Sequence, residues 1–123
     1  MANFLKRKMK DGGTVFGTWC MLPSSFVVDV VARTGLDFIV LDMEHGALSW
    51  ETAEEMVRAA QLHNCQPIIR VGDDQENTIL HALETGCGAI MVPHVSTAEA
   101  AKKIVNAALY SPKGTPGLSP YTR

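Results

Sequence analysis

Residues 41 to 48, LDMEHGAL, place Asp42, Glu44 and His45 directly after the apolar run DFIVL and just before a glycine. An aspartate three residues ahead of a histidine is spaced for a carboxylate–imidazole pair, which fixes the imidazole tautomer and raises its basicity for general-base work near neutral pH. The competing reading is a turn in which Asp42 accepts backbone N–H groups and His45 lies at the surface. Glu44 offers a second acid within reach of a metal or its bound waters; on its own it reads as solvated. Arg70 ends the otherwise apolar PIIRV (67–71), and a guanidinium in such a run needs an anionic partner. Either Asp42 or Glu44 supplies it, or Arg70 faces a substrate carboxylate or a developing enolate, the assignment favoured here. Trp19 is read as the wall of a pocket or as a packing indole. His94, after Pro93, is read as structural or as lining the same mouth.

The elements that must position these residues alternate. Strand-like runs occur at 14–20, 37–42, 67–71 and 88–93, rich in Val, Ile, Phe and Met, as expected for strands buried on both faces of a parallel sheet. Each is followed by a helical pattern. The first has Ser24 and Ser25 as alternative caps and Gly35 as its stop. The second spaces Trp50, Ala53, Met56, Val57 and Ala60 three or four apart. The third turns Ile79, Leu80 and Leu83 inward and ends at Gly86. The fourth opens with Ser96 and Glu99 at capping-box spacing and carries Ala101, Ile104, Val105 and Ala108 as its stripe. A short helix at 2–10 leads the chain. His63 and His81 fall on helices as peripheral residues, and Trp50 as a packing residue. Asp73 and Asp74 read as cap and loop.

Alternating β and α units give an α/β fold with a parallel sheet. No GxGxxG or GxxxxGK phosphate loop occurs, and four βα units are half of a closed (β/α)8 barrel. The expected architecture is therefore the first four units of such a barrel. Residues 111–123 hold three of the six prolines and two of the ten glycines, so they read as a loop leading toward a fifth strand. In an open parallel sheet of four or five strands, as in a closed barrel, the site assembles at the C-terminal strand ends. Trp19, Asp42, Glu44, His45, Arg70 and His94 all fall there.

Composition narrows the class. With 46% hydrophobic and 20% charged residues in 123, the chain is that of a globular domain. A net charge of −2 without a basic stripe argues against nucleic acid or an anionic membrane as partner. Three cysteines without metal-ligand spacing, each beside apolar residues, indicate buried thiols and a reducing cytoplasm. The N-terminus is too charged for a signal peptide, and no apolar run spans a membrane.

The segments GTWC (17–20), GLDFIVLDMEHG (35–46), PIIRV (67–71), GAIMVPHVSTAEAA (88–101) and YSPKGTPG (110–117) together resemble the class II pyruvate aldolases of the HpcH/HpaI family, across nearly the whole chain. The resemblance implies a (β/α)8 TIM barrel that binds pyruvate through a divalent metal, Mg2+, Mn2+ or Co2+. It implies an enolate that adds to an aldehyde, or the reverse cleavage of a 4-hydroxy-2-oxoacid. On that resemblance His45, oriented by Asp42, relays the proton; Arg70 binds the oxoacid or enolate oxygen; Trp19 shapes the aldehyde pocket; and Glu44 acts from behind the residues that touch substrate. A homo-oligomer, a hexamer by resemblance, is implied as well. Two departures stand out. Pro116 replaces the arginine of the family's Gly-x-Arg-Gly loop, and the family's metal-ligating glutamate and aspartate lie downstream of Arg123, so no metal ligand is expected in this chain. Arg123 occupies a family arginine position whose role stays open. A fragment of a longer enzyme, a half-barrel that pairs with itself or a partner, and a pseudoenzyme remnant all accommodate these departures. A non-catalytic oxoacid-binding or assembly module and a citrate-lyase β-like CoA-ester lyase are the alternative functions.

Overall fold

The computed structural model describes residues 4–109. Nine elements follow in order: α1 (Phe4–Lys10), β1 (Gly17–Cys20), α2 (Ser25–Ala32), β2 (Phe38–Asp42), α3 (Trp50–Gln61), β3 (Gln66–Arg70), α4 (Glu76–Glu84), β4 (Ala89–Met91) and α5 (Ala98–Ala108). The four strands form one parallel sheet in the order β1-β2-β3-β4, so each βα unit lays its strand beside the last. This is the α/β architecture read from the alternating pattern. Residues 111–123, with Pro116 and Arg123, lie outside the described residues.

Alternation along the strands divides the sheet into two unlike faces. Cys20, Ile39, Leu41 and Ile69 point to the helix-covered face and pack with Val28, Ala32, Ala53, Met56, Val57, Ala60 and Ala82. Burying its Ile, Leu, Val and Met side chains stabilises by about 1.5–3 kcal/mol each, and a one-residue slip in register would turn the strand members of the cluster to the other face. The opposite face carries Trp19, Val40, Asp42, Ile68, Arg70 and Met91. On that face Trp19 and Met91 are exposed, whereas Val40 and Asp42 on the central β2 are buried. The expectation of strands buried on both faces is thus met by β2 and not by β1 or β4, which are the sheet's edges.

Local signals set the helix ends. Ser24 and Ser49 accept hydrogen bonds from the N–H groups of Val27 and Thr52, capping α2 and α3. Glycines at positive φ, Gly35 and Gly86, follow α2 and α4. At α5 the cap is Thr97, whose hydroxyl accepts from Ala100 N–H, in place of Ser96. That shift of one residue takes Glu99 out of capping-box register. The α5 stripe also differs from expectation: Ala107 is buried, whereas Ala101 and Val105 are exposed, since α5 packs mainly on α4. Likewise α4 is capped at Gln75 without a side-chain bond, and Asp73 instead closes a loop turn on Gln75 N–H.

At the N-terminal end of the sheet, Lys8 of α1 pairs with Asp37 at 2.6 Å, tying the leading helix to the start of β2. A cavity of about 590 Å³ lies at that end, lined by Phe4, Arg7, Cys65, Gln66 and Cys87 among others. None of the chemistry-bearing strand-tip residues lines it. Functional sites in such folds assemble at the other, C-terminal edge, so this cavity belongs to the scaffold.

Candidate active site

The parallel register places Asp42 directly beside Arg70, each the last residue of its strand, and their side chains leave the sheet on the same face. Trp19, paired with Val40 two residues lower, also leaves on that face. After β2 the chain must turn at once, and Gly46 permits it: Gly46 N–H donates to Asp42 C=O at 3.1 Å. A Cβ on Gly46 would meet that oxygen at 2.2 Å, far inside contact distance. The tight turn brings the backbone of Glu44 and His45 back over the Asp42 carboxylate.

Asp42 is the centre of the arrangement and is 1% exposed. Its Oδ1 accepts the N–H groups of Glu44 and His45 at 2.9 and 3.0 Å. Its Oδ2 accepts the Trp19 indole N–H at 2.8 Å and Arg70 Nη1 at 3.3 Å. Burial alone raises the Asp42 pKa. The bonds from His45 N–H, Trp19 and Glu44 N–H, with the Arg70 charge, outweigh it and hold the carboxyl below the usual value. The carboxylate–imidazole pair expected from the spacing is not formed. Asp42 spends both oxygens elsewhere and orients His45 through its backbone, leaving the imidazole 63% exposed with Nε2 3.7 Å from Glu44 Oε2. The turn reading of Asp42 is the one observed.

Glu44 also departs from expectation. Its side chain is 11% exposed, not solvated. Oε2 is buried against the Arg70 Nη2 group, an ion pair without aligned hydrogen-bond geometry. Oε1 receives His94 Nε2 at 2.8 Å. Arg70 therefore sits between two carboxylates, with the Trp19 ring 5.6 Å from its Cζ, a cation–π distance. Of its five N–H groups, these contacts engage about two, and the side chain remains 21% exposed. The result is a polar chain across all four strand ends: Trp19 on β1, Asp42 and Glu44 at β2, Arg70 on β3, His94 after β4.

His94 is the member that the spacing left undecided. Its signal was positional, the first ionisable residue past the tip of β4. His63 and His81 stand apart from the site. His63 pairs with Asp29 at 2.7 Å, joining the turn after α3 to α2, and His81 packs edge-on against Trp50 at 5.5 Å. Both are structural contacts, and Trp50 is the packing residue expected. The cysteines are free, with Cys20 and Cys65 buried; burial pushes the Cys65 thiol up to about 11, and burial likewise raises Cys87. Neither is disposed to act as a nucleophile at neutral pH.

A divalent metal does not fit the side chains described. No group of three or more His, Cys, Asp or Glu residues among them is placed to hold one. Glu44 has one oxygen on His94 and the other on a guanidinium, and Asp42 has four donors. The described strand ends present an arginine with donors to spare, an exposed imidazole and a half-exposed indole. Chemically, that set can bind an oxyanion, stabilise charge developing on it and move a proton nearby.

Known proteins share this arrangement of elements. A pyruvate aldolase of Rhizobium etli is 33% identical over 121 residues, covering 98% of this chain and 48% of that protein. The solved structure of the citrate synthase SbnG superposes with a TM-score of 0.87 at 35% identity, over 95% of this chain and 48% of that one. A structure described as an HpcH/HpaI aldolase/citrate lyase family protein from Burkholderia cenocepacia gives a TM-score of 0.89 at 26% identity, over 98% and 50%. The chain thus spans about half the length of the relatives it matches, and its four βα units correspond to half of their TIM barrel. The profile of the HpcH/HpaI aldolase/citrate lyase family matches residues 16–120, and the chain belongs to that family.

Proposed function

We propose that this chain supplies the oxoacid-binding and proton-transfer half of an aldolase site, which makes or breaks a carbon–carbon bond between a pyruvate enolate and an aldehyde. The observation that carries the reading is Arg70, clamped between Asp42 and Glu44 under the Trp19 ring, with N–H groups still available at the C-terminal edge of a parallel sheet. Membership of an aldolase family supports it.

The chemistry follows from what these groups can do. Removing a methyl proton from a 2-oxoacid sends charge onto the C2 oxygen. A guanidinium already held in place stabilises that charge without reorganising at the moment of reaction. Its two carboxylate partners keep it fixed while part of its donor fork remains free. The His45 imidazole, exposed beside Glu44, is the group able to take the proton and return it. Trp19, half exposed and anchored through its indole N–H, walls the side from which the aldehyde approaches. In this reading the partners are pyruvate or another 2-oxoacid and an aldehyde, and the setting is a cytoplasmic homo-oligomer. Mg2+, Mn2+ or Co2+ would have to take its ligands from outside residues 4–109, and none of these roles is routed through it.

The likeness to a citrate synthase favours a second reading, carbon–carbon bond formation toward a citrate-type product. A single assay separates the readings. The protein is given a 4-hydroxy-2-oxoacid, and pyruvate is followed by coupled reduction with lactate dehydrogenase. Pyruvate release supports the aldolase. Citrate-type turnover without pyruvate release supports the second reading. Binding of pyruvate with no turnover of either kind leaves an oxoacid-binding module and sinks the aldolase proposal.

A further inference from the structure

We propose that His94 is a positioning residue for Arg70, acting through Glu44; the inference rests on the oxoacid site proposed above. His94 has φ +58°, in the left-handed region. Side chains other than glycine enter that region at a cost, Asn, Asp and His most readily, and such a conformation persists where its surroundings over-determine it. The other non-glycine case among the described residues is an asparagine, Asn64, the ordinary occupant of such a turn. At His94 the visible restraint is one contact, Nε2 to Glu44 Oε1 at 2.8 Å, made although the ring is otherwise exposed. An ionised carboxylate only accepts, so Nε2 carries the proton and donates.

The contact matters because of what Glu44 would otherwise do. A carboxylate facing a guanidinium favours the two-pronged fork, with both oxygens on two parallel N–H groups. Glu44 here puts only Oε2 on Arg70, because Oε1 is committed to His94. Removing that donor frees Oε1 to swing onto the guanidinium and consume a second N–H. Arg70 already gives Nη1 to Asp42. A forked Glu44 would then leave it fewer donors for a substrate oxygen and rotate those that remain. His94, contributed by the fourth strand unit, thereby sets how much of Arg70 is offered to the ligand. The charged and titratable groups around Glu44 are Arg70, His45 and His94, with Asp42 reached through Arg70.

The test compares the protein with its His94→Asn and His94→Gln variants. Asparagine tolerates positive φ but is too short to reach Glu44; glutamine is long enough to restore a donor. The first readout is the Arg70 Nε–Hε resonance in a ¹H–¹⁵N spectrum, assigned by its loss in Arg70→Lys. We expect it to move in His94→Asn and to return toward the wild-type position in His94→Gln. The second is hydrogen exchange at the pyruvate methyl group. His94→Asn should lower kcat/KM by about five-fold, and His94→Gln should recover most of it, because Arg70 both binds the oxygen and stabilises the charge that develops on it. An Arg70 resonance unmoved in a folded His94→Asn protein overturns the proposal. So does an unchanged kcat/KM in that protein. If the wild-type protein shows no exchange, the site reading falls and the Arg70 resonance alone judges His94. If a variant does not fold, ¹⁵N-histidine spectra of the wild type decide, since a His94 ring protonated at Nδ1 in place of Nε2 refutes the contact.

Discussion

Replacing Asp42 with asparagine tests the centre of the strand-tip network, because the shape is kept and the acceptor capacity is halved. All four groups facing the carboxylate are donors: two backbone N–H groups on Oδ1, the Trp19 indole and Arg70 on Oδ2. Whichever way the carboxamide is turned, its NH2 meets two of them, so two bonds are lost and donor is set against donor. Hydrogen bonds to a charged group contribute about 1.5–3 kcal/mol each. Arg70 is partly exposed and keeps Glu44 as a second partner, which lowers its share. The variant should therefore lose about 3 kcal/mol, read in urea as a midpoint lower by roughly 1–3 M. The pH dependence has a definite sign. The Asp42 pKa is depressed on folding, so its contribution is present above the unfolded value near 4 and is lost as pH falls through the folded value. The difference between wild type and variant should hold from neutral pH down to about 4 and close below it. A midpoint shift under about 0.5 M at neutral pH, or a difference that does not narrow as pH falls below about 4, refutes the network. It would favour instead an aspartate whose task is the exposed His45 ring.

Two further outcomes follow from the same geometry. Arg70→Lys keeps the charge but not the fork that spans Asp42 and Glu44; pyruvate affinity should fall by about ten-fold or more, measured calorimetrically, while the circular dichroism stays that of the wild type. In the native protein at pH 8, Cys65 should resist iodoacetamide over the time in which the urea-unfolded chain is fully alkylated, and mass spectrometry of the labelled peptides reads the difference. Rapid labelling of Cys65 under native conditions would contradict its burial.

Much of the scaffold is legible because its signals are local and repeated. The three- and four-residue spacing of Ala53, Met56, Val57 and Ala60 reproduces the buried face of α3, and glycines at 35 and 86 follow α2 and α4. The α5 stripe is not legible in the same way. Val105 has helical spacing, but whether a stripe is covered depends on neighbours far along the chain. The strand-tip list shows the same division. That Trp19, Asp42, Glu44, Arg70 and His94 meet follows from their places at the ends of parallel strands. Which atoms meet does not. Spacing suggested Asp42 to the His45 ring, whereas a five-residue turn closed at Gly46 delivers the His45 backbone instead. The burial of Glu44 likewise depends on Arg70 and His94, residues 26 and 50 positions away, and no pattern around position 44 encodes it.

The most direct test of the proposed role is hydrogen–deuterium exchange at the methyl group of pyruvate, followed by proton NMR in the protein and in its His45→Ala variant. The exposed ring contributes little to stability, so the variant should unfold at the wild-type urea midpoint. Exchange is expected in the wild type, with a loss of about 100-fold or more in the variant, the range for removing a general base. Exchange that continues unchanged without the imidazole would contradict that role.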